Sequence, residues 1–185
     1  MTKTNAATTK GPAAPVVSPL ENMLRTFKAA LKKSSGDVDR RYKDAIETLF
    51  ISNADLGGSV AIRDESARVI SQEGVSLGSL SALQNALDLQ VLESYNLVSL
   101  EKSQASRLRS GARPLNEFQS ARTLRAMELA ALSTEVFGTK EQAAIWLKRP
   151  HAMFEGEAPL SYAVSEFGAS KVRNALVAIR YGGVV

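Results

Sequence analysis

Two consecutive helix starts and stops between residues 116 and 150 constrain the fold of this chain more than any other feature. Asn116, with a glutamine three residues further on, is a capping-box pattern, and it precedes a long run of helical periodicity. Gly138 stands where a left-handed residue ends such a helix, and Thr139 repeats the capping pattern at once. Pro150 closes the second helix. This segment predicts a long helix and a short helix joined by a tight turn.

The remaining periodic segments also predict helices. The last of them has Val172, Ala175, Leu176 and Ile179 at the spacing of one helical face. The stretch "NADLGG" after the second helix has the composition of a turn, and we find no run of alternating strand residues and no internal repeat. The sequence predicts an all-α fold. The expected helices cover residues 20–33, about 37–51, 64–72, 79–96 in one or two pieces, 100–111, 116–137, 139–149 and 165–182.

Composition excludes several classes of protein. The chain has 185 residues and no cysteine, which excludes disulfides, thiol nucleophiles and cysteine-based metal sites. It has no apolar run of the length of a signal peptide core or a membrane-spanning helix. We therefore expect a soluble, cytoplasmic protein with no membrane partner.

A basic cluster marks the middle of the chain. The segment 88–111 has the proportions of a helix-turn-helix, namely a helix, a three-residue turn and a second helix that bears basic and amide side chains. Arginine can read guanine with two hydrogen bonds, and glutamine can do the same for adenine. A solvated basic helix packed on the rest of the bundle is the alternative interpretation. The candidate DNA-binding residues are Lys102, Gln104, Arg107, Arg109 and Arg113.

No residue pattern indicates catalysis. His151 is the only histidine and has no carboxylate at a fixed spacing, and Glu155 and Glu157 flank neither a histidine nor a phosphate-binding loop. No nucleotide-binding fingerprint occurs in the chain. We expect a protein that is not an enzyme and has neither cofactor nor metal. Trp146 lies on an apolar helical face, where we expect internal packing, although tryptophan is also common at interface hot spots.

A family resemblance covers the C-terminal part of the chain. The segment "VFGTKEQAAIWLKRPHAMFEGEAPLSYAVSEFGASKVRNALVAIRYG" resembles the C-terminal toxin-binding domain of the Xre/MbcA/ParS antitoxins. Upstream, "LVSLEKSQASRLRSGARPLNEFQSARTLRAMELA" is similar to the Xre-type helix-turn-helix and connecting helix of that family. The landmarks of the first segment are "VFG" at 136–138, "AAIWL" at 143–147, Pro150, Gly156, Pro159, Leu160, Gly168 and "IRYG" at 179–182.

We expect the chain to divide into four segments. Residues 1–19, which are rich in Thr, Ala, Pro and Lys and have no periodicity, are expected to form a disordered tail. Residues 20–78 are expected to form an N-terminal helical extension outside the resemblance, and the sequence does not choose between dimerisation and an additional toxin contact as its role. Residues 79–135 would form the DNA-binding region with its long connecting helix, and residues 136–185 the toxin-binding domain.

The resemblance also implies a function. Antitoxins of this family neutralise a RES-domain toxin, which consumes NAD or uses it to ADP-ribosylate a target, and they repress their own operon. Inhibition would be steric and non-covalent, with a flexible Gly-Gly tail entering the cofactor cleft, and operator DNA would be bound by a homodimer or a larger toxin–antitoxin complex. The implied toxin contacts are Arg180, Tyr181, Gly182, Gly183, Val184 and Val185.

Two other functions remain open from the sequence. The first is a stand-alone helix-turn-helix transcriptional regulator that uses its C-terminal domain only to dimerise. The second is a structural adaptor whose helix-turn-helix has lost DNA binding. Such an adaptor would show no salt-dependent affinity for the operator, because phosphate contacts make DNA binding fall steeply with salt.

Overall fold

The computed structural model describes residues 17–33 and 39–183. In this part of the chain the fold consists of ten α-helices and one small antiparallel hairpin. The predicted all-α fold class is confirmed. The elements are α1 (Pro19–Lys33), α2 (Arg40–Glu47), β1 (Phe50–Asn53), β2 (Ser59–Ile62), α3 (Asp64–Glu73), α4 (Leu77–Leu87), α5 (Val91–Leu97), α6 (Lys102–Ser110), α7 (Glu117–Phe137), α8 (Lys140–Lys148), α9 (Pro159–Tyr162) and α10 (Glu166–Arg180).

The long helix α7 forms the centre of the fold. Its N-terminus has the predicted capping box, in which Asn116 Oδ1 accepts from the Gln119 amide at 2.8 Å and the Gln119 side chain accepts from the Asn116 amide. Gly138 ends it with φ of 79°. Between positions 123 and 134 every residue except Arg125 is buried, because α1, α3, α4, α8, α10 and β2 pack around the helix. A helix buried on all sides is the core of the fold.

The hairpin is the main departure from the sequence prediction. The second helix was expected to continue to about residue 51, but α2 ends at Glu47 and Phe50 begins a strand. The strands pair in the register Phe50 with Ile62 and Asn53 with Ser59. They are joined by a 3₁₀ turn, Ala54–Leu56, and by two glycines with positive φ. Strands of four residues are too short for a periodic signal, and for this reason the apolar residues were assigned to the helix.

The N-terminal extension shares the core with the rest of the chain. Met23, Phe27 and Leu31 of α1 are buried and belong to the same apolar cluster as the residues of α7 and α10. The predicted segments 1–19, 20–78, 79–135 and 136–185 stay a prediction, and α7 crosses the boundary placed between 135 and 136. Residues 1–16 of the predicted tail, and Val184 and Val185, lie outside the described residues.

Trp146 packs internally, as expected. Its ring lies 5.7 Å from that of Phe137, 5.2 Å from that of His151 and 6.1 Å from that of Phe154, measured between centroids. His151 Nε2 lies 3.1 Å from the Trp146 carbonyl oxygen, so the tautomer protonated at Nε2 donates to it. These contacts fix the connector after α8.

No helix in the described part of the chain is long and apolar enough to cross a membrane.

Two glutamates of α7 connect the hairpin to α10. Glu128 accepts a hydrogen bond from the Ile62 amide at 2.9 Å and one from Arg173 at 2.8 Å. Seven residues on, Glu135 accepts from the Val60 amide at 2.7 Å and pairs with Arg180. Burial raises the pKa of Glu128, and the Arg173 charge and the Ile62 amide oppose that shift. The α7 carboxylates thus bind a β2 amide on one side and an α10 guanidinium on the other.

Candidate functional sites

The segment predicted as a helix-turn-helix contains α5, a turn over residues 98–101, and α6. The turn contains Ser99 with φ of 54°. The start of α7 holds it in place, because Gln119 Nε2 donates to the Ser99 carbonyl at 3.2 Å and Arg122 Nη1 donates to the Ser99 hydroxyl at 2.6 Å. Burial, together with the nearby charge of Arg125, lowers the pKa of Arg122. The angle between α5 and α6 is therefore fixed by the core helix.

The exposed face of α6 is not centred on the predicted basic residues. Ala105 is buried and Leu108 is partly buried, and both point into the fold. At 100° per residue, the centre of the opposite face falls among Ser103, Ser106, Arg107 and Ser110, which are exposed. The pattern of basic residues did not point to these three serines. The inward pair Ala105 and Leu108 is the signal that could have located them.

The five predicted DNA contacts do not form one cluster. Lys102 and Arg109, seven residues apart, lie on one side of α6, and Arg107 lies on the other side. Arg109 also donates to the Tyr95 hydroxyl at 3.1 Å, which ties α6 to α5. Arg113 is exposed in the loop that follows the helix. These four basic side chains lie around the exposed face of α6.

Gln104 is placed differently from the other four. It is half-buried, and its Oε1 accepts from Gln119 Nε2 at 3.2 Å. Because Gln119 belongs to the capping box of α7, Gln104 connects α6 to the start of the core helix. Because α7 covers part of the Gln104 side chain, only its exposed part can contact a ligand.

The second candidate surface is the outer face of α10. Ser165 caps this helix by accepting from the Gly168 amide at 3.1 Å. Its inner stripe, formed by buried residues that include Val172 and Leu176, faces the core. Phe167 lies outside that stripe with 92% of its surface exposed, and Asn174 and Tyr181 follow at intervals of seven residues.

Phe167, Asn174 and Tyr181 therefore share one outer face of α10, which is about 20 Å long at 1.5 Å per residue. We missed Phe167 and Asn174 from the sequence. An aromatic residue that does not fit the apolar stripe of its own helix is the signal that could have identified Phe167. Large exposed apolar side chains mark surfaces that bind partners when they align in this way.

The Gly-Gly pair ends α10, contrary to the flexible tail expected from the sequence. Gly182, with φ of 76°, donates its amide to the Ile179 carbonyl at 3.1 Å. Gly183 donates to the Ala178 carbonyl at 2.8 Å. These two bonds form a Schellman cap, which requires a left-handed residue at the position of Gly182. The chain is thus ordered by helix capping through Gly183.

Arg180, the last residue of α10, and Tyr181, which follows it, are both predicted toxin contacts. In the structure both contact the hairpin. Arg180 donates to the Ser59 hydroxyl at 2.6 Å in addition to its ion pair with Glu135. The Tyr181 hydroxyl donates to the Gly57 carbonyl at 2.6 Å, although 61% of the Tyr181 surface stays exposed. The end of α10 and the hairpin therefore form one structural unit.

Comparison with known families identifies the C-terminal part of the chain. Residues 132–182 match the family described as the antitoxin Xre/MbcA/ParS C-terminal toxin-binding domain. A search of the curated proteins finds no match to the chain. The predicted resemblance is confirmed for this segment, which runs from the second half of α7 to the cap of α10. Residues 132–182 are therefore similar to the toxin-binding domain of antitoxins from toxin–antitoxin systems.

Proposed function

We propose that this protein is the antitoxin of a type II toxin–antitoxin pair, which binds and sterically inhibits a RES-domain toxin and represses its own operon. The match of residues 132–182 to the toxin-binding domain is the observation that carries this proposal. Inhibition is non-covalent. The toxin is the enzyme of the pair and consumes NAD or uses it for ADP-ribosylation.

The outer face of α10 is the proposed toxin contact. Phe167, with its exposed ring, lies within the matched segment, as does Tyr181 at the other end of the helix. Complete burial of one such aromatic side chain contributes about 1.5–3 kcal/mol. Two aromatic anchors about 20 Å apart can provide much of the affinity of a protein interface. Val184 and Val185 are proposed to contact the toxin as well.

The exposed face of α6 is the proposed operator contact. Lys102, Arg107, Arg109 and Arg113 supply positive charge around Ser103 and Ser106, and the open part of Gln104 lies at the inner margin of this face. The basic side chains would bind phosphates and guanine edges, while the serine hydroxyls can donate to or accept from phosphates and base edges. A homodimer or a larger complex with the toxin would place two such helices about 34 Å apart on a palindromic operator.

Co-expression with the RES-domain toxin, followed by affinity pull-down and an assay of NAD loss, tests the proposal. We expect co-purification and suppressed NAD loss for the wild type. Phe167→Ala is expected to weaken toxin binding by about tenfold, which corresponds to about 1.4 kcal/mol. Phe118→Ala is the matched control, because Phe118 is also exposed and also second in a capped helix, but lies outside the matched segment.

The two proposed activities are expected to separate. Arg107→Ala combined with Arg109→Ala should lower operator affinity and reduce its salt dependence while toxin neutralisation persists. Deletion of residues 184–185 should lower neutralisation while operator binding persists, and it leaves the helix cap at Gly182 intact. Damage to both activities by both changes would contradict this division. Specific operator binding without any toxin binding would instead identify a stand-alone transcriptional regulator.

A further inference from the structure

We propose that the β1–β2 hairpin, which lies outside residues 132–182, belongs to the toxin-binding surface: Gly57 holds Tyr181 in its binding position, and the turn Ala54–Leu56 contacts the toxin. This inference rests on the proposed antitoxin function. It chooses toxin contact for this part of the N-terminal extension, for which the sequence left dimerisation and an additional toxin contact open. The occupant of the surface is the toxin that the matched domain binds.

A side chain at position 57 would displace the ring of Tyr181 from its present place. A Cβ at Gly57 would lie 2.2 Å from the Tyr181 hydroxyl oxygen and 2.7 Å from the nearest ring carbons. Gly57 also has φ of 62°, which side chains rarely adopt. The ring of Tyr181 therefore lies directly on the glycine backbone, and the hydrogen bond from its hydroxyl to the Gly57 carbonyl fixes the ring orientation.

The neighbouring residues hold the hairpin against the end of α10. Ser59, fully buried, accepts from Arg180, and the amide of Val60 donates to Glu135, the ion-pair partner of Arg180. The Arg180–Ser59 and Tyr181–Gly57 contacts join residues more than 120 positions apart in the sequence. The hairpin is thus docked at several points rather than at one.

This arrangement favours a role in binding in addition to a structural one. Tyr181 stays 61% exposed although its hydroxyl is bonded, so one face of an immobilised aromatic ring is presented to solvent. Immobilising such a side chain before association removes part of the conformational entropy cost of binding. Tyrosines of this kind are common interface hot spots.

The hairpin is also continuous with the proposed toxin contact on α10. Asp55 and Leu56 of the 3₁₀ turn line the same cleft, of about 460 Å³, as Ser170 and Asn174 on the outer side of α10. Asn174 lies between Phe167 and Tyr181 on that face. A toxin seated on the whole length of this face must therefore approach the turn Ala54–Leu56.

The affinity of the full-length chain for the RES-domain toxin, measured by titration calorimetry, tests the inference. Gly57→Ala is expected to weaken binding by about three- to tenfold, the factor expected for losing one pre-ordered side chain. Gly58→Ala is the matched control: its φ of 78° imposes the same kind of strain, but its Cβ would meet only Ser52 Oγ at 3.6 Å. We expect this variant to stay within about twofold of the wild type.

Equal affinities of Gly57→Ala and the wild type would overturn the inference, as would an equal loss in the two glycine variants. Hydrogen exchange on the wild-type protein tests it independently of any folding defect in the variants. Toxin binding should protect the amides of Ala54–Leu56, and unchanged exchange there would refute the contact. If the wild-type chain binds no toxin at all, the proposed function itself fails; if it binds but the hairpin does not respond, only this inference fails.

Discussion

Removal of the Glu128 carboxylate should destabilise the protein strongly. Glu128 is only 7% exposed and binds both the Ile62 amide and Arg173. Glu128→Ala would leave a buried amide without an acceptor and Arg173 without its closest buried partner. Breaking a buried ion pair from one side costs about 3–5 kcal/mol, a large part of the 5–15 kcal/mol typical of a whole domain.

Urea denaturation followed by far-ultraviolet circular dichroism at pH 7 measures this free energy of unfolding. Glu128→Gln keeps an acceptor for Ile62 and should lose only about 1–3 kcal/mol. Glu141→Ala is the exposed control: this helical glutamate pairs with Lys140 at 3.9 Å, is 66% exposed, and should change the free energy by less than about 1 kcal/mol. A loss below about 1 kcal/mol for Glu128→Ala would refute the role assigned to this carboxylate.

Two further predictions concern the start of α10. A Cβ at Gly168 would lie 2.0 Å from the Tyr162 carbonyl oxygen, so Gly168→Ala should cost about 1–3 kcal/mol in the same urea experiment, whereas Ser170→Ala, which is exposed, should stay within about 0.5 kcal/mol. Burial would raise the pKa of Glu166, but hydrogen bonds and charges from Arg173 and Arg125 outweigh it and lower the pKa below the ordinary 4.5. A carboxylate with a lowered pKa stabilises the fold above pH 4.5 and loses this effect as the pH falls, so the stability difference between the wild type and Glu166→Gln should shrink from pH 6 to pH 3.5. Because Glu166 is 62% exposed, the difference should not exceed about 1 kcal/mol, and a widening gap on acidification would contradict the assignment.

The helices were predictable because their signals are local. Asn116 and Thr139 form the hydrogen bonds that their capping patterns predict, and Gly138 has the left-handed conformation expected at the end of α7. The inward stripe of α10 follows from its spacing alone. The toxin-binding domain was also recognisable, since its landmarks occur in order over a continuous stretch of chain.

The parts of the sites that were not predicted depend on contacts between distant residues. Nothing near Gln104 indicates that Gln119 turns it away from the exposed face of α6. The two glycines after Leu56 indicate a turn, but only the fold shows that one of them lies under Tyr181. Local propensity gives the helix end, while tertiary contacts decide which side chains remain available to a partner.

Because of these long-range contacts, the matched segment is not structurally independent of the rest of the chain. The matched segment begins at residue 132, and this excludes Glu128, the buried carboxylate that pairs with Arg173 of α10. It also excludes the hairpin that binds Arg180 and Tyr181. An isolated segment 132–182 would therefore expose Arg173 in the middle of α10 and lose the support for the C-terminal end of its outer face. Because α7 joins the turn at Ser99 to the glutamates that hold α10, the proposed operator contact and the proposed toxin contact are connected through one helix.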